Sequence, residues 1–230
     1  MQSNPMLFDV PETIKKPRWD EMVTSLSYDE KEIIRNIMLL HNGGKAFDVD
    51  PTFSVGRFWE GLPKPKYKFD INPQVEGVEQ GDARKLPLAD GSVNSIMFDP
   101  PFVVAPSPKP GIIRDRFSCY ANVKDLWQFY DEALQEFYRI LAKGGMVTVK
   151  CQDIVSSAKQ HLSHVAIINH AERIGFYSKD LFILARSSVL WSPNMENQQH
   201  ARKTHSYFLV FVKGVPTLRG ADGKTTRRSR

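Results

Sequence analysis

The stretch Ser95-Ile96-Met97-Phe98-Asp99-Pro100-Pro101-Phe102 decides how the rest of the chain is read. Its first half is an apolar run that predicts a buried strand. Its second half stops that strand with an acid, two prolines and an aromatic ring. Proline lacks an N–H and fixes φ, so Pro100-Pro101 cannot continue a central strand. Asp99 is therefore expected at the carboxyl end of the strand, the edge where open α/β sheets bind ligands. An acidic turn before a loop is the competing interpretation, and the surrounding sequence has to decide between them.

Working outward, strand and helix patterns alternate. Upstream, Lys45–Asp50 and Tyr67–Ile71 read as strands and Val75–Glu79 as a weaker third. Ahead of them a helix carries Ile33, Ile34, Ile37, Met38 and Leu40 on one side. It opens at a capping box of Ser27 with Glu30 and closes at Asn42-Gly43-Gly44. Any helix over 57–66 is limited to about one turn by Gly61, Pro63 and Pro65. Downstream, Leu126, Tyr130, Ala133, Leu134, Phe137, Ile140 and Leu141 keep a helical period, with Asn122 or Asp125 as the opening residue. Gly144-Gly145 should end that helix, and Met146–Lys150 should be the next strand. A further helix is expected over 157–174, with Leu162, Val165, Ile168 and Ile174 inward and Gly175 as its stop. Leu181–Ala185 and Tyr207–Val212 follow with no helix between them, which predicts an antiparallel hairpin. The expected fold is α/β and Rossmann-like: a mostly parallel seven-stranded sheet closed by that hairpin.

The composition sets limits on function. The chain has 230 residues, 41% hydrophobic and 25% charged, as expected of one globular domain. The expected division is an N-terminal arm over 1–26, a main domain over 27–214 and a tail over 215–230. No apolar run is long enough to span a membrane, and the N-terminus does not read as a secretory signal. Cys119 and Cys151 make neither a disulfide framework nor a metal-ligand pattern, and the histidines show no metal spacing. No metal is expected, and the default compartment is the reducing cytoplasm. The net charge of +5 suits a polyanion. Much of it lies in the tail, where Arg219, Lys224, Arg227, Arg228 and Arg230 face one acid, Asp222; that segment reads as a disordered, basic terminus.

Acids recur at the ends of the predicted parallel strands: Asp48 or Asp50 after the first, Asp70 after the second and Asp82 after the third. An acid in the second position suits a ribose diol, and one in the third an exocyclic amine of a nucleobase. Together they predict a nucleoside-containing ligand lying across the sheet edge, with Asp99 facing the group that reacts. Lys150 and Asp153 lie near the same edge and read as solvated charges. Loop 103–123 is a candidate substrate lid, and loop 186–205, with Trp191 and the cluster His200, Arg202, Lys203 and His205, a candidate nucleic-acid contact.

The tetrapeptide Asp99-Pro100-Pro101-Phe102 resembles the D-P-P-[YF] signature of S-adenosylmethionine-dependent amino-methyltransferases of nucleic acids, the adenine-N6/cytosine-N4 DNA methylase-like group. The resemblance extends over roughly 45–213. Gly81-Asp82-Ala83, Leu86-Pro87-Leu88 and Asp90-Gly91-Ser92-Val93 are similar to the approach to that motif. Tyr138–Leu141 with Lys143-Gly144-Gly145 is similar to the passage from the fourth helix to the fifth strand. The glycine-rich first motif of the group is matched at Asp50, Pro51 and Gly56, whereas Thr52, Ser54 and Val55 depart from it.

The resemblance implies S-adenosyl-L-methionine as cofactor, held by Asp48, Asp50, Gly56, Asp70, Asp82 and Ala83. It implies Asp99, Pro100, Pro101 and Phe102 as the catalytic stretch. Asp99 and the Pro100 carbonyl would accept hydrogen bonds from the target amine while Phe102 stacks on a base extruded from its helix. Nucleic acid is the implied partner, DNA favoured over RNA and adenine N6 over cytosine N4, engaged through loops 103–123 and 186–205 and the basic tail. Attack at cytosine C5 is disfavoured, because it needs a cysteine nucleophile at the strand end. An RNA base methyltransferase and a non-catalytic nucleic-acid-binding subunit are the alternatives.

Overall fold

A computed structural model describes residues 22–104, 120–186 and 198–214, together with the backbone of 218–219 and 225–226. One sheet organises it. Its strands are β1 (Leu26–Ser27), β2 (Val49–Asp50), β3 (Tyr67–Asp70), β4 (Glu79–Gln80), β5 (Val93–Phe98), β6 (Leu141–Cys151), β9 (Phe176–Ala185) and β10 (His205–Lys213). The order is β1-β9-β10-β6-β5-β2-β3-β4. From β6 through β4 the neighbours are parallel; β10 is antiparallel to both β6 and β9.

The sheet has eight strands rather than seven. The extra one, β1, adds to the outer edge of the hairpin, pairing Leu26 with Ile183 and Ser27 with Leu184. It straddles the expected arm–domain boundary, so the end of the arm is a sheet edge. Residues 1–21 of the arm lie outside the described residues, as do 105–119 and 187–197 of the two candidate loops. In the tail, the short strands β11 (Leu218–Arg219) and β12 (Thr225–Thr226) pair with each other; the rest of 215–230 lies outside the described residues.

The apolar pattern explains the layers. The middle of β5 is buried on both faces, as a parallel strand covered by helices must be. Ile96 and Phe98 pack toward α2 (Val123–Ile140) and α3 (Ser163–Ile174), whereas Met97 packs toward α1 (Glu30–His41). β10 alternates in the same way, with Leu209 and Phe211 on the first side and Phe208 and Val210 on the second. Successive strand side chains point to opposite faces, so one central strand feeds two cores.

Local differences from expectation have local causes. α1 is capped by Asp29, whose carboxylate accepts the Lys31 N–H, while Ser27 bonds to Glu32. α2 is capped by Asn122 as one of the two expected openings. It ends at Ile140, before the glycines; Gly144, at φ 80°, and Gly145 lie within β6. A Cβ on Gly145 would meet the Ala142 and Asn94 carbonyl oxygens at 2.9 and 3.0 Å, so that position needs glycine for close approach to β5. Residues 154–161 form a hairpin, β7 (Ile154–Ser156) with β8 (Lys159–His161), instead of the start of a helix. α3 accordingly begins at Ser163 and buries Ser163, Ile167 and Ala171, leaving Leu162 and Val165 exposed. No described helix is long and apolar enough to cross a membrane.

Candidate active site

Asp99 follows β5 directly, between β2 and β6 at the carboxyl edge. Two concavities meet at its tetrapeptide. On one side a cleft of about 470 Å³ is lined by Asp99 and Pro101, by Pro51, Thr52 and Ser54 after β2, by Asp70, Ile71 and Asn72 after β3, and by Gly81, Ala83 and Arg84 after β4. Tyr120 and the side of α2 complete its wall. On the other side an open cavity of about 530 Å³ is lined by Phe102, Val103 and Val104, by Gln152–Val155 and by Gln198 and His200–Lys203. Pro100, which lines neither of them, is buried. The Asp-Pro-Pro-Phe stretch is thus a partition, with its acid facing one chamber and its aromatic ring the other.

The loop after β2 supports this partition from below. The Asp99 N–H donates to Thr52 Oγ1 at 3.1 Å. The Thr52 hydroxyl and N–H both donate to Asp50 Oδ1, at 3.2 and 2.8 Å. The Trp59 indole N–H donates to Asp50 Oδ2 at 2.6 Å. Asp50 is almost fully buried, and burial pushes its carboxyl up to about 7 against those hydrogen bonds. Ser54, at a left-handed φ of 53°, donates its N–H to Asp70 Oδ2 at 2.8 Å, and Asn72 donates to Oδ1 at 2.8 Å. Thr52 and Ser54, two of the three departures from a glycine-rich motif, are therefore the residues that tie the loop to Asp99 and to Asp70.

Asp99 also has a charged partner. Lys150 Nζ donates to Asp99 Oδ2 at 3.0 Å and lies 2.6 Å from Glu30 Oε1 of α1. Burial pushes the Asp99 carboxyl up, and the Lys150 ammonium pulls it partly back. For Lys150, burial acts downward, but Asp99 and Glu30 outweigh it and the ammonium is held above its usual range. The expectation that Lys150 and Asp153 are solvated charges is corrected here, since both are buried. Asp153 is paired with His164 at 2.7 Å. A signal for Lys150 was present in the sequence: it closes the apolar run Met146–Val149, and Phe98 pairs with Val149, so Lys150 stands at the register next to Asp99.

Of the residues expected at the cofactor, Asp70 and Ala83 line the cleft beside Asp99. The others lie elsewhere. Asp48 precedes β2, and its carboxylate accepts the Asn94 and Ser95 N–H groups at 2.6 and 3.2 Å, toward the opposite end of β5. Asp50 sits beneath the cleft wall. Gly56, at φ 75°, packs under Phe53, whose ring a Cβ would meet at 2.7 Å. Asp82 turns its carboxylate onto Arg84, which holds it below the usual carboxylate range. Arg84, which the sequence did not single out, lines the cleft in its place.

The family model for N6/N4 DNA methylases matches residues 93–227, more than half of the chain, and its span covers the partition and the closing hairpin. This chain belongs to that family. No curated protein sequence matches it. Among solved structures, a proposed DNA modification methylase of Thermus thermophilus, complexed with S-adenosyl-L-methionine, shares 19% identity at a TM-score of 0.42; the match covers 61% of this chain and 56% of that one. TrmN from the same species gives 14% identity and 0.45, covering 79% and 48%. A methyltransferase partner of the Haloferax volcanii activator Trm112 gives 14% and 0.45, covering 73% and 82%. The chain spans about half the length of the Thermus DNA methylase structures it matches. The parallel half and the closing antiparallel hairpin of the sheet are the Rossmann-like arrangement expected from the sequence.

The family's methyl donor is S-adenosyl-L-methionine, and the cleft suits it. Its volume is within the roughly 300–1,000 Å³ usual for small-ligand sites. It offers an acid at the end of β3 for a diol, the exposed apolar side chain of Ile71 beside it, and Asp99 at its inner end.

Proposed function

We propose that this methylase transfers the methyl group of S-adenosyl-L-methionine to an exocyclic amine of a nucleic-acid base, DNA adenine N6 being the favoured target. The observation that carries the reading is the partition. Asp99 borders a cleft suited to the donor, Phe102 borders a second cavity, and Arg202 and Lys203 rim that cavity with positive charge. The transferase domain is taken as 27–214, with the basic tail and loops 103–123 and 186–205 as nucleic-acid contacts.

The bound donor supplies an electrophilic methyl group. The chain's own residues do the rest. Asp70 accepts from the ribose hydroxyls with the lone pairs left over from Ser54 and Asn72. Ala83 and Thr52 shape the cleft wall. Phe102 stacks on the extruded base. Asp99 and the Pro100 carbonyl accept hydrogen bonds from the amine, and both bonds strengthen as positive charge grows on nitrogen. The preference for adenine rests on Asp in first place and an aromatic in fourth.

The test is transfer of labelled methyl to duplex DNA, single-stranded DNA and total RNA, followed by nucleoside analysis. N6-methyladenine in DNA is expected, and its loss in Asp99→Ala with an unchanged far-UV circular-dichroism spectrum. Label confined to RNA would replace the DNA assignment, and near-normal turnover of Asp99→Ala would overturn the role of Asp99.

A further inference from the structure

Lys150 is the least expected group near the site. Its side chain is about 10% exposed on a central strand, yet it carries a charge. The ammonium sits between two carboxylates, Asp99 from the end of β5 and Glu30 from the first turn of α1. The rings of Phe58 and Phe208 lie 5.3 and 5.8 Å from it and close the remaining sides. Stability is a weak explanation for such a lysine, because burying an ion pair gains little over apolar packing. It does constrain Asp99. Oδ2 is bound to Nζ, whereas Oδ1 has no hydrogen-bond partner among the described residues, and the side chain as a whole keeps about 29% of its surface open.

We propose that Lys150, itself held by Glu30, is the positioning residue of the methyl-transfer site: it fixes Oδ2 of an ionised Asp99 and leaves Oδ1 to accept from the target amine. The inference rests on the amine-binding role proposed for Asp99 and deepens it. A carboxylate alone among Pro100, Pro101 and the apolar end of β5 would tend to take up a proton and become a donor, which cannot accept from an amine at that oxygen. The ammonium opposes this. Glu30 limits the opposition, since a lysine paired with Asp99 alone would draw its electron density more strongly away from the acceptor. Among the described residues, the charged and titratable groups around Asp99 are Glu30 of α1, Asp50 of β2, Tyr130 of α2, Lys150 and Cys151 of β6 and Arg186 after β9. Lys150 alone among them donates to its carboxylate in the described residues.

The experiment combines a carboxyl titration without donor or substrate and a rate profile. Protein labelled with ¹³C at the aspartate carboxyl is titrated by NMR, the Asp99 signal being the one missing from Asp99→Asn. In Lys150→Met and in Lys150→Met/Glu30→Gln the Asp99 midpoint should rise by more than one pH unit. In Glu30→Gln it should fall, and in Lys150→Arg it should stay within half a unit. In step with this, kcat at pH 7 should fall at least tenfold in Lys150→Met, recover as the pH is raised, and be largely restored by arginine. If the methionine variants do not fold, Glu30→Gln and Lys150→Arg carry the test. An Asp99 midpoint that ignores every substitution overturns the role of Lys150. A fully active Asp99→Asn instead overturns the role of Asp99, and the titration still reports whether Lys150 controls that carboxyl.

Discussion

The two halves of the sheet are built differently. On one side of β5 stand β6, β10 and β9, with 11, 9 and 10 residues, hydrogen-bonded in long ladders. On the other side stand β2, β3 and β4, with 2, 4 and 2. Ladder bonds and large apolar residues hold the first half. The second is held by carboxylates that accept backbone N–H groups: Asp48 from Asn94 and Ser95, Asp50 from Thr52, and Asp70 from Ser54 and Asn72. The loops of that second half, with the side of α2, line the proposed donor cleft. Short strands leave more of the chain in loops, and loops shape a cleft, but their backbone groups then need side chains to satisfy them.

Breaking the long half should cost most. Phe208 is fully buried on β10 beside Phe182 and Met97. Phe208→Ala removes a whole ring from a region that cannot close over the gap, and about 3–5 kcal/mol of stability should go with it. Urea unfolding measures this, and a loss below about 1 kcal/mol would mean that the hairpin half is not the structural base.

The short half should show instead in its dependence on pH. The Asp50 carboxyl is raised from 3.8 to about 7 by burial. Below 3.8 it is protonated in both folded and unfolded chains. Between 3.8 and 7 the unfolded chain gives up the proton and the folded chain keeps it, so the unfolded state binds fewer protons and stability falls as pH rises. The slope from this group is at most roughly 1.4 kcal/mol per pH unit, and it flattens above 7. Asp50→Asn should lose that slope whatever its absolute stability, as read from urea midpoints at pH 5, 6, 7 and 8. An unchanged slope would show that Asp50 is not the group responsible.

The contrast also explains what could be read from the sequence. The long half was legible because its strands are apolar runs with simple periods; β5, β10 and the buried face of α2 match expectation. The face of α3 was misread because Leu162 and Val165 are apolar but exposed, and composition cannot show that 154–161 turns into a hairpin. In the short half the acids were recognised but their directions were not. Asp70 and Ala83 reach the cleft; Asp48, Asp50 and Asp82 spend their carboxylates on the N–H groups of Asn94 and Ser95, on Thr52 and Trp59, and on Arg84. A carboxylate near a strand end has the same sequence signature whether it binds a ligand or a neighbouring backbone. Lys150 was missed for the converse reason: a lysine at a strand end suggests solvent until the strand beside it is known to end in an acid.

A further substitution tests the side-chain clamps themselves. Asp48→Ala leaves the Asn94 and Ser95 N–H groups without their acceptor, at a cost of about 1–3 kcal/mol if water does not replace it. Amide exchange should accelerate at Asn94 and Ser95 while the amides of β9 and β10 keep their protection. Uniform acceleration across the sheet would mean that the two halves unfold as one unit.

The smallest expected effect on stability, and the most informative about function, belongs to Thr52. Its hydroxyl accepts the Asp99 N–H and donates to Asp50, so it joins the cleft loop to the partition. Thr52→Val keeps the shape and removes both bonds. Thr52 is only partly buried, so water can replace some of what is lost, and about 1 kcal/mol of stability is the expected cost. The effect on turnover should be larger than that figure suggests. The Asp99 backbone would lose its fixed position, and a small displacement of a group that must meet a developing charge can cost about 100-fold in rate. A fall in kcat with little change in the KM for the methyl donor would mark Thr52 as part of the support for Asp99. A rise in that KM with kcat unchanged would place its role in the cleft wall, and the contrast drawn above would then hold for stability but not for catalysis.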